Sequence, residues 1–357
     1  MTKEQGSKAH LYLYDWVRVI GTVLVVLGHS VYMNWSGDMG GIALDYTNAV
    51  SNFAWWQTVL GKAARFAYMF HMPLFFTLSG AVYAIGSKTE SLGALAKKKL
   101  KRLIVPYYVG GFLWMFPLRY MSGFYADADS LIKALNCFAT GRYAMGHLWF
   151  LPSLFMCFML FYIIHRPSDT GGGYIQTLII CFLLSFQFSG LCTVSGFGFP
   201  SCLSYIIYFA VGYGIELYRK NVKQSLPLET GVFLVTSVML YNELQGRAFI
   251  ADEFMLALVG IFWTLSLCML ICRIGIMNNR VIRRLSADSF LVYILHDPIN
   301  FIMLGFGEKL IGSRAGTILF FGMRSWLNIV VCLLLAELIH YTIKVYRKKR
   351  VFYDKQA

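Results

Sequence analysis

The sequence predicts an all-α membrane protein, a polytopic bundle of about ten transmembrane helices. Hydrophobic residues make up 57% of the 357 residues and charged residues only 14%, a balance that ordinary soluble domains do not have. Apolar runs of membrane-spanning length recur from the first part of the chain to the last. We therefore expect one transmembrane domain over residues 1–357 and no separate soluble domain.

The basic character of the chain fits the same interpretation. A formal net charge of +14 would suggest nucleic-acid binding in a soluble protein. Here the basic residues lie mainly between apolar segments, so topology explains the charge better, and we expect lipid and no nucleic acid as a partner. Most of the eight cysteines fall in apolar segments, where Cys behaves as a small hydrophobe. Cys192 and Cys202 flank a short loop, where they either form a disulfide or remain thiols.

Ten apolar segments are the candidates for the transmembrane helices, and the seventh is the shortest. They cover residues 14–32, 66–85, 103–121, 148–164, 174–191, 203–217, 230–241, 254–272, 289–306 and 326–346. The main basic clusters lie at 97–102, 219–223, 273–284 and 347–350. With ten crossings and the N-terminus inside, all four fall on the cytoplasmic side, which retains positive charge. Both termini should therefore be cytoplasmic.

The two longest outer loops of this topology cover residues 34–65 and 122–146, and both contain Trp or Tyr. Such aromatic residues either form an interfacial belt or stack on sugar rings. The sequence leaves both alternatives open.

The first segment is unusual because it carries Asp15, Arg18 and His29. Eleven residues separate Arg18 from His29, so the two return to one helix face roughly 16 Å apart along the axis. Ionisable groups within a membrane segment usually face a cavity or a partner. The alternative is a helix whose charged ends merely sit at the two interfaces.

Four further strings follow in order along the chain. They are FHMPLFFTLSG at residues 70–80, the basic run that ends in RLIVPYY at 102–108, HLWFL at 147–151 and YILHDPI at 293–299. Together with Arg18 and His29, which have ten residues between them, they resemble the acyltransferase family 3 membrane proteins. The resemblance extends from the first helix to the last.

This resemblance implies a fold of about ten transmembrane helices and a membrane O-acetyltransferase activity. Members of that family move acyl groups, usually acetyl from acetyl-coenzyme A, onto hydroxyls of surface polysaccharides, peptidoglycan or other acceptors outside the cytoplasm. Acetyl-CoA is then the acyl donor and co-substrate, a surface glycan is the acceptor, and the bacterial cytoplasmic (inner) membrane is the location. No metal-ligand spacing is present, and we expect no metal.

The catalytic candidates are His29, Arg18 and Asp15. Acyl transfer to a hydroxyl needs a base for the hydroxyl proton, and a neutral His suits this task near neutral pH. Asp15 is too far along the helix to contact His29. Arg18 either binds anionic groups of the donor or pairs with Asp15 at i,i+3.

Lys99 and Arg102 match the family's pair of basic residues ahead of a proline, although Arg is the common residue at the first position. With Arg18 they are the candidates for binding the phosphates of the donor. The alternative is a topology-setting cluster that touches lipid headgroups.

The remaining candidates would line the substrate cavity. They are His71, Ser79, His147, Trp149, Tyr293 and His296. Ser79 is either an acyl-accepting nucleophile or, with Gly80, part of a close helix contact. His147 and Trp149 alternatively anchor the interface, and His296 alternatively has a purely structural role. Glu337 in the last segment requires a partner or a cavity.

The function that follows is transfer of acetyl from cytoplasmic acetyl-CoA to a hydroxyl of a cell-surface glycan. The O-antigen of lipopolysaccharide is preferred, with capsule and exopolysaccharide as alternative acceptors and succinyl or another short acyl group as the alternative donor. The acetyl group passes either directly, with His29 as base, or through an acyl enzyme at His29 or Ser79. The alternative from another class is a transporter or flippase of polysaccharide precursors, in which the same buried charges would bind substrate without making bonds.

Overall fold

A computed structural model describes residues 3–37, 39–43, 53–86, 91–142, 146–165, 171–189, 196–222, 225–247, 250, 252–275, 280–305 and 307–354. Within these ranges the chain is almost entirely helical, and each of the ten apolar segments lies largely or wholly in a helix. The sequence-based expectation of an all-α class is therefore confirmed, apart from one small hairpin.

The α-helices vary from single turns to more than eight turns. They are α1 Lys3–Ser30, α2 Phe53–Gly86, α3 Leu92–Lys99, α4 Val105–Gly110, α5 Phe116–Met121, α6 Ala128–Ala139, α7 Phe150–Ile164, α8 Gly171–Gln187, α9 Phe199–Tyr218, α10 Leu226–Leu244, α11 Glu253–Arg273, α12 Arg280–Leu304, α13 Gly307–Leu310, α14 Arg314–Gly322 and α15 Asn328–Asp354. Wider π-helical turns at Leu100–Ile104 and Gly111–Met115 join α3, α4 and α5, and a third at Met323–Leu327 joins α14 to α15.

Five helical stretches of the described chain are long and apolar enough to cross a membrane. They are Thr58–Gly86, Gly146–Ile164, Gly196–Tyr218, Glu253–Arg273 and Arg314–Tyr346. Other long helices combine apolar runs with charges, as α1 does with Asp15 and Arg18 and α12 with Asp288 and Asp297. The count of ten crossings and the cytoplasmic placement of both termini stay predictions.

Three elements depart from the segments that hydropathy predicts. Strands β1 Asn34–Gly37 and β2 Gly40–Ala43 form an antiparallel hairpin in the first long loop, and its Gly41 N–H donates to the Phe124 carbonyl at 2.9 Å. The amphipathic helix α6 forms in the second loop, where the Asp127 side chain accepts from Asp129 N–H at its start. The last helical stretch begins at Arg314 rather than near 326, because Ser313 caps it. Hydropathy misses all three because polar caps and turns define them.

Close contact between α2 and α9 explains one of the sequence alternatives. A Cβ at Gly80 would collide with the Phe209 carbonyl, and a Cβ at Gly212 would collide with the Thr77 carbonyl. The two backbones can therefore approach only because both positions are glycine. Gly80 thus has the packing role expected for the Ser-Gly pair.

Helix α1 packs against α2 and α12, and α12 packs against α15. These contacts bring the charged stripe of the first helix to the last helices of the chain. In the first half of α15, Glu337 pairs with Arg284 at 2.7 Å with its side chain 61% exposed, so its partner is a surface arginine. Cys202 is a buried thiol with its Sγ 3.5 Å from that of Cys157. Cys192, the other half of the disulfide alternative, lies outside the described residues.

Candidate active site

Two cavities adjoin in the region where α1, α2, α7 and α12 meet. The larger, hereafter the basic cavity, has a volume of about 900 Å³. Its lining includes five cationic side chains, namely Arg18, Lys98, Lys99, Arg102 and Arg283. Asp15, Ser79 and Tyr293 also line it. The cations come from three separate parts of the chain, so this positive surface is a product of the fold.

The smaller cavity, hereafter the histidine chamber, has a volume of about 150 Å³. It is lined by Val25, His29, Tyr68, His71, Met72, His147, Trp149, Tyr205 and Tyr293. Tyr293 belongs to both linings, so the two cavities adjoin at this side chain.

The sequence candidates divide between the two cavities. Asp15, Arg18, Ser79, Lys99 and Arg102 line the basic cavity. His29, His71, His147 and Trp149 line the histidine chamber, and Tyr293 lines both. His296 is fully buried and lines neither, but its ring centroid lies 4.9 Å from those of both His29 and His147. The fold thus brings the candidates together, with His296 behind the chamber.

His29 is held by a carboxylate from the other end of the chain. Its Nδ1 lies 2.9 Å from Oδ1 of Asp297, and both side chains are buried. An ionised carboxylate can only accept, so Nδ1 donates and Nε2 of the neutral ring carries the lone pair. This tautomer is the one that a general base requires. Asp297 therefore orients His29 and defines which nitrogen can take a proton.

Asp297 also binds two further groups through its other oxygen. Its Oδ2 accepts from His147 Nδ1 at 3.2 Å and from the Arg119 guanidinium at 3.4 Å. Arg119 is itself buried and lies over the rings of Phe124 and Phe301. One carboxylate consequently organises two imidazoles and a guanidinium.

Local backbone features present these side chains to one another. Pro298 within α12 cannot donate to the preceding turn. The carbonyls nearby take other donors, since Leu295 O accepts from Trp114 Nε1 at 3.0 Å and His296 O from Asn328 Nδ2 at 2.9 Å. His147 follows Gly146, whose φ is +48° and where a Cβ would collide with the Arg119 guanidinium. A glycine is thus required for Arg119 to lie beneath His147.

His71 and His296 have their tautomers set by the backbone. Nδ1 of His71 donates to the Ala67 carbonyl at 2.8 Å, and Nδ1 of His296 donates to the Tyr293 carbonyl at 2.8 Å. The neutral rings therefore present Nε2 as an acceptor. The Tyr293 hydroxyl donates to the His147 carbonyl. This bond fixes the side chain that lines both cavities against the histidine chamber.

At the basic cavity, Arg18 fits both of its sequence interpretations. It pairs with Asp15 at 3.0 Å, and Asp15 also accepts from the Ser286 hydroxyl at 2.7 Å. About a third of the Arg18 side chain remains exposed in the cavity lining. Lys99 lies with its Nζ 3.3 Å from the centroid of the Phe158 ring, which turns this ammonium towards the cavity.

The sequence reasoning missed Asp297, Arg119 and a possible cation site. His29, His296 and Asp297 each offer a ligand atom within 4.8 Å of the others, so this group could hold a metal ion. Linear spacing gives no sign of it, because His29 and Asp297 are 268 residues apart. A signal for Asp297 was nonetheless present, since it is a carboxylate within an apolar segment and such groups need partners.

A comparison with protein families identifies the family of the chain. The model of an acyltransferase domain, Acyl_transf_3, matches residues 11–337, nearly the whole chain. The chain belongs to acyltransferase family 3. No curated protein and no solved structure matches it. Family membership and the five membrane-capable helices together make it a multi-pass membrane acyltransferase, and they confirm the family named from the sequence motifs.

Proposed function

We propose that this acyltransferase moves acetyl from acetyl-CoA, bound in the basic cavity, to a hydroxyl of a cell-surface glycan, with His29 as the general base. The observation that carries the proposal is the buried Asp297–His29 pair in a chamber that adjoins a cation-lined cavity. A family 3 acyltransferase needs a base beside its donor site, and this pair is such a base.

The basic cavity has the size and charge for the donor. Acetyl-CoA is a large polyanion whose phosphates are bound best by several Lys and Arg side chains. Lys98, Lys99 and Arg102 extend from one helical run, and Arg18 and Arg283 supply cations from two other helices. We infer that the phosphates lie among these side chains while the thioester arm reaches towards Tyr293.

The histidine chamber supplies the chemistry. His29 takes the proton of the acceptor hydroxyl through Nε2 as the oxygen attacks the thioester carbonyl, and Asp297 stabilises the imidazolium that forms. The negative charge that develops on the carbonyl oxygen needs a donor. Tyr68 and Tyr205 bring O–H groups to the lining, and we assign this task to them.

We place the donor side in the cytoplasm and the acceptor outside, in the bacterial inner membrane, as the resemblance and the basic clusters suggest. Direct transfer is preferred over an acyl-Ser79 intermediate because Ser79 lines the basic cavity and is not among the residues around His29. The O-antigen of lipopolysaccharide is the first acceptor to test.

The test is the O-acetyl content of surface polysaccharide, measured by proton NMR in cells that lack the gene and are complemented with wild type or variants. His29→Ala should lower acetylation on the order of 10²- to 10⁴-fold at equal membrane level. His165→Ala is the matched control, because His165 is also buried but bonds to Thr177 outside both cavities.

Full acetylation by His29→Ala would overturn the assignment of the base. No acetyl difference between wild type and the gene deletion would overturn the glycan acceptor. If wild-type protein in vesicles instead moves a glycan precursor without consuming acetyl-CoA, the transporter alternative replaces the proposed reaction.

A further inference from the structure

The histidine chamber is far smaller than the basic cavity, and its volume limits what can react at His29. Its 150 Å³ equals the volume of an engineered protein cavity that holds one benzene molecule, which has about six non-hydrogen atoms. His29 lines this chamber and is not among the residues that line the basic cavity. The chamber therefore decides which acyl groups can reach the base.

The reaction geometry requires the acyl carbonyl to enter the chamber. A general base lies about 3 Å from the hydroxyl oxygen that it deprotonates, and that oxygen attacks the carbonyl carbon from about 3–3.5 Å. The thioester sulfur, carbonyl carbon, carbonyl oxygen and methyl carbon of an acetyl group, with the acceptor oxygen and its carbon, already make six atoms. These six atoms thus fill the chamber when the acyl group is acetyl. For each added methylene of a longer acyl group, a lining side chain has to move away.

Only two of the nine lining residues are aliphatic, Val25 on α1 and Met72 on α2. Val25 lies one turn before His29 on the same helix face, and both Val25 and Met72 are buried. The alkyl end of an acyl group is most favourably placed against such side chains. Val25 and Met72 are therefore the residues that an acyl chain would meet as it lengthens.

The chamber also selects by charge. Its lining contains neither Lys nor Arg. The Nδ1 groups of His29 and His147 donate to Asp297 and that of His71 to Ala67, so the three neutral rings can turn only their lone-pair nitrogens inward. A second carboxylate would find no cationic partner here, and the neutral tyrosine hydroxyls of the lining do not offset the desolvation of a full charge. A succinyl group is consequently rejected.

We propose that the histidine chamber is the acyl-selecting site, that Met72 and Val25 set its length limit, and that it admits acetyl, accepts propionyl poorly and excludes longer or carboxylate-bearing acyl groups. In the reaction the acceptor O–H bond breaks and its proton passes to His29 Nε2. The new C–O bond forms, the C–S bond breaks, and the coenzyme A thiolate leaves and takes the proton from His29. This inference rests on the proposed function.

The test uses purified full-length protein in lipid nanodiscs, with polysaccharide from the gene-deletion cells as acceptor. Acetyl-, propionyl-, butyryl-, hexanoyl- and succinyl-CoA are compared by the rate of thiol release and by proton NMR of the product. A hydrophobic pocket discriminates about tenfold or more for each methylene, so wild type should use butyryl-CoA on the order of 100-fold less well than acetyl-CoA. Succinyl transfer should be undetectable.

Two variants should shift this preference in opposite directions. Met72→Ala enlarges the chamber and should raise the butyryl-to-acetyl ratio by about tenfold or more. Val25→Leu shortens the available space and should lower the propionyl-to-acetyl ratio. Met115→Ala is the control, because Met115 is fully buried yet belongs to neither cavity lining, and its ratios should equal those of wild type.

The inference is overturned if wild type transfers hexanoyl or succinyl as well as acetyl, or if Met72→Ala keeps the wild-type ratio while it still transfers acetyl. Should Met72→Ala fail to fold, Met72→Val and Val25→Leu decide by the same ratios. Absence of transfer from any acyl-CoA by well-folded wild type would overturn the proposed function, and the inference with it. If Met72→Ala and Val25→Leu transfer acetyl normally and keep the wild-type butyryl-to-acetyl and propionyl-to-acetyl ratios, the inference is overturned and the proposed function is not.

Discussion

The basic cavity and the histidine chamber differ in how their functional side chains are held. The cavity is lined by long Lys and Arg side chains that remain partly exposed, such as Arg18 at 33%. In the chamber, Asp297 binds His29 and His147, and all three side chains are buried to 9% exposure or less. Flexible cations suit the binding of a polyanion, whereas proton transfer needs fixed geometry. This difference is why we propose donor binding in the basic cavity and chemistry in the histidine chamber.

The largest expected effect comes from Asp297→Asn. An amide presents one oxygen where the carboxylate presents two, so it can accept from only one of the two imidazoles and faces the other, or Arg119, with an N–H group. We expect kcat for acetyl transfer to fall about 10⁴-fold, as it does when a base loses its orienting carboxylate. The measurement is kcat at saturating acetyl-CoA.

Asp288→Asn is the control for this change. Asp288 lies on the same helix and accepts from His340 at 2.8 Å, away from the chamber. Its replacement should leave kcat close to that of wild type. Equal losses in the two variants would show that Asp297 acts through helix α12 rather than through His29.

A smaller and different effect is expected from Arg102→Gln in the basic cavity. Removal of one charged contact to a phosphate should raise KM for acetyl-CoA about tenfold while kcat is retained. Acetyl-pantetheine lacks the nucleotide phosphates, so its KM should not change. The neighbouring Lys101 is not among the cavity-lining residues, and Lys101→Gln should match wild type with both donors. A lowered kcat in Arg102→Gln would contradict the claim that the basic cavity binds the donor without taking part in the chemical step.

The two regions could be predicted only in part from the sequence. Hydropathy identified the helical segments, and the basic run with Arg18 pointed to a cationic surface, because charge clusters and helix periodicity are local features. The Asp297–His29 pair could not be predicted by spacing, since α12 meets α1 only in the folded bundle. Asp15 was correctly excluded as a partner of His29. Hydropathy did not predict the hairpin and α6, because glycine turns and helix caps define these two elements.

The smallest expected effect distinguishes direct transfer from an acyl-Ser79 intermediate. Ser79 lines the basic cavity and not the histidine chamber, so Ser79→Ala should change the rate of acetyl transfer by no more than about a factor of two. Rapid-quench mass spectrometry of the wild-type protein with acetyl-CoA alone should find no acetyl on Ser79. A loss of transfer in Ser79→Ala as large as that in His29→Ala would establish the intermediate instead.

The most direct test of the account is acetyl-CoA binding to His29→Ala, measured by isothermal titration calorimetry in lipid nanodiscs. If donor binding belongs to the basic cavity and proton transfer to the histidine chamber, this variant binds acetyl-CoA with the wild-type Kd and transfers acetyl on the order of 10²- to 10⁴-fold more slowly. If its affinity for acetyl-CoA is lost together with its activity, the two regions are not functionally separate and the account is wrong.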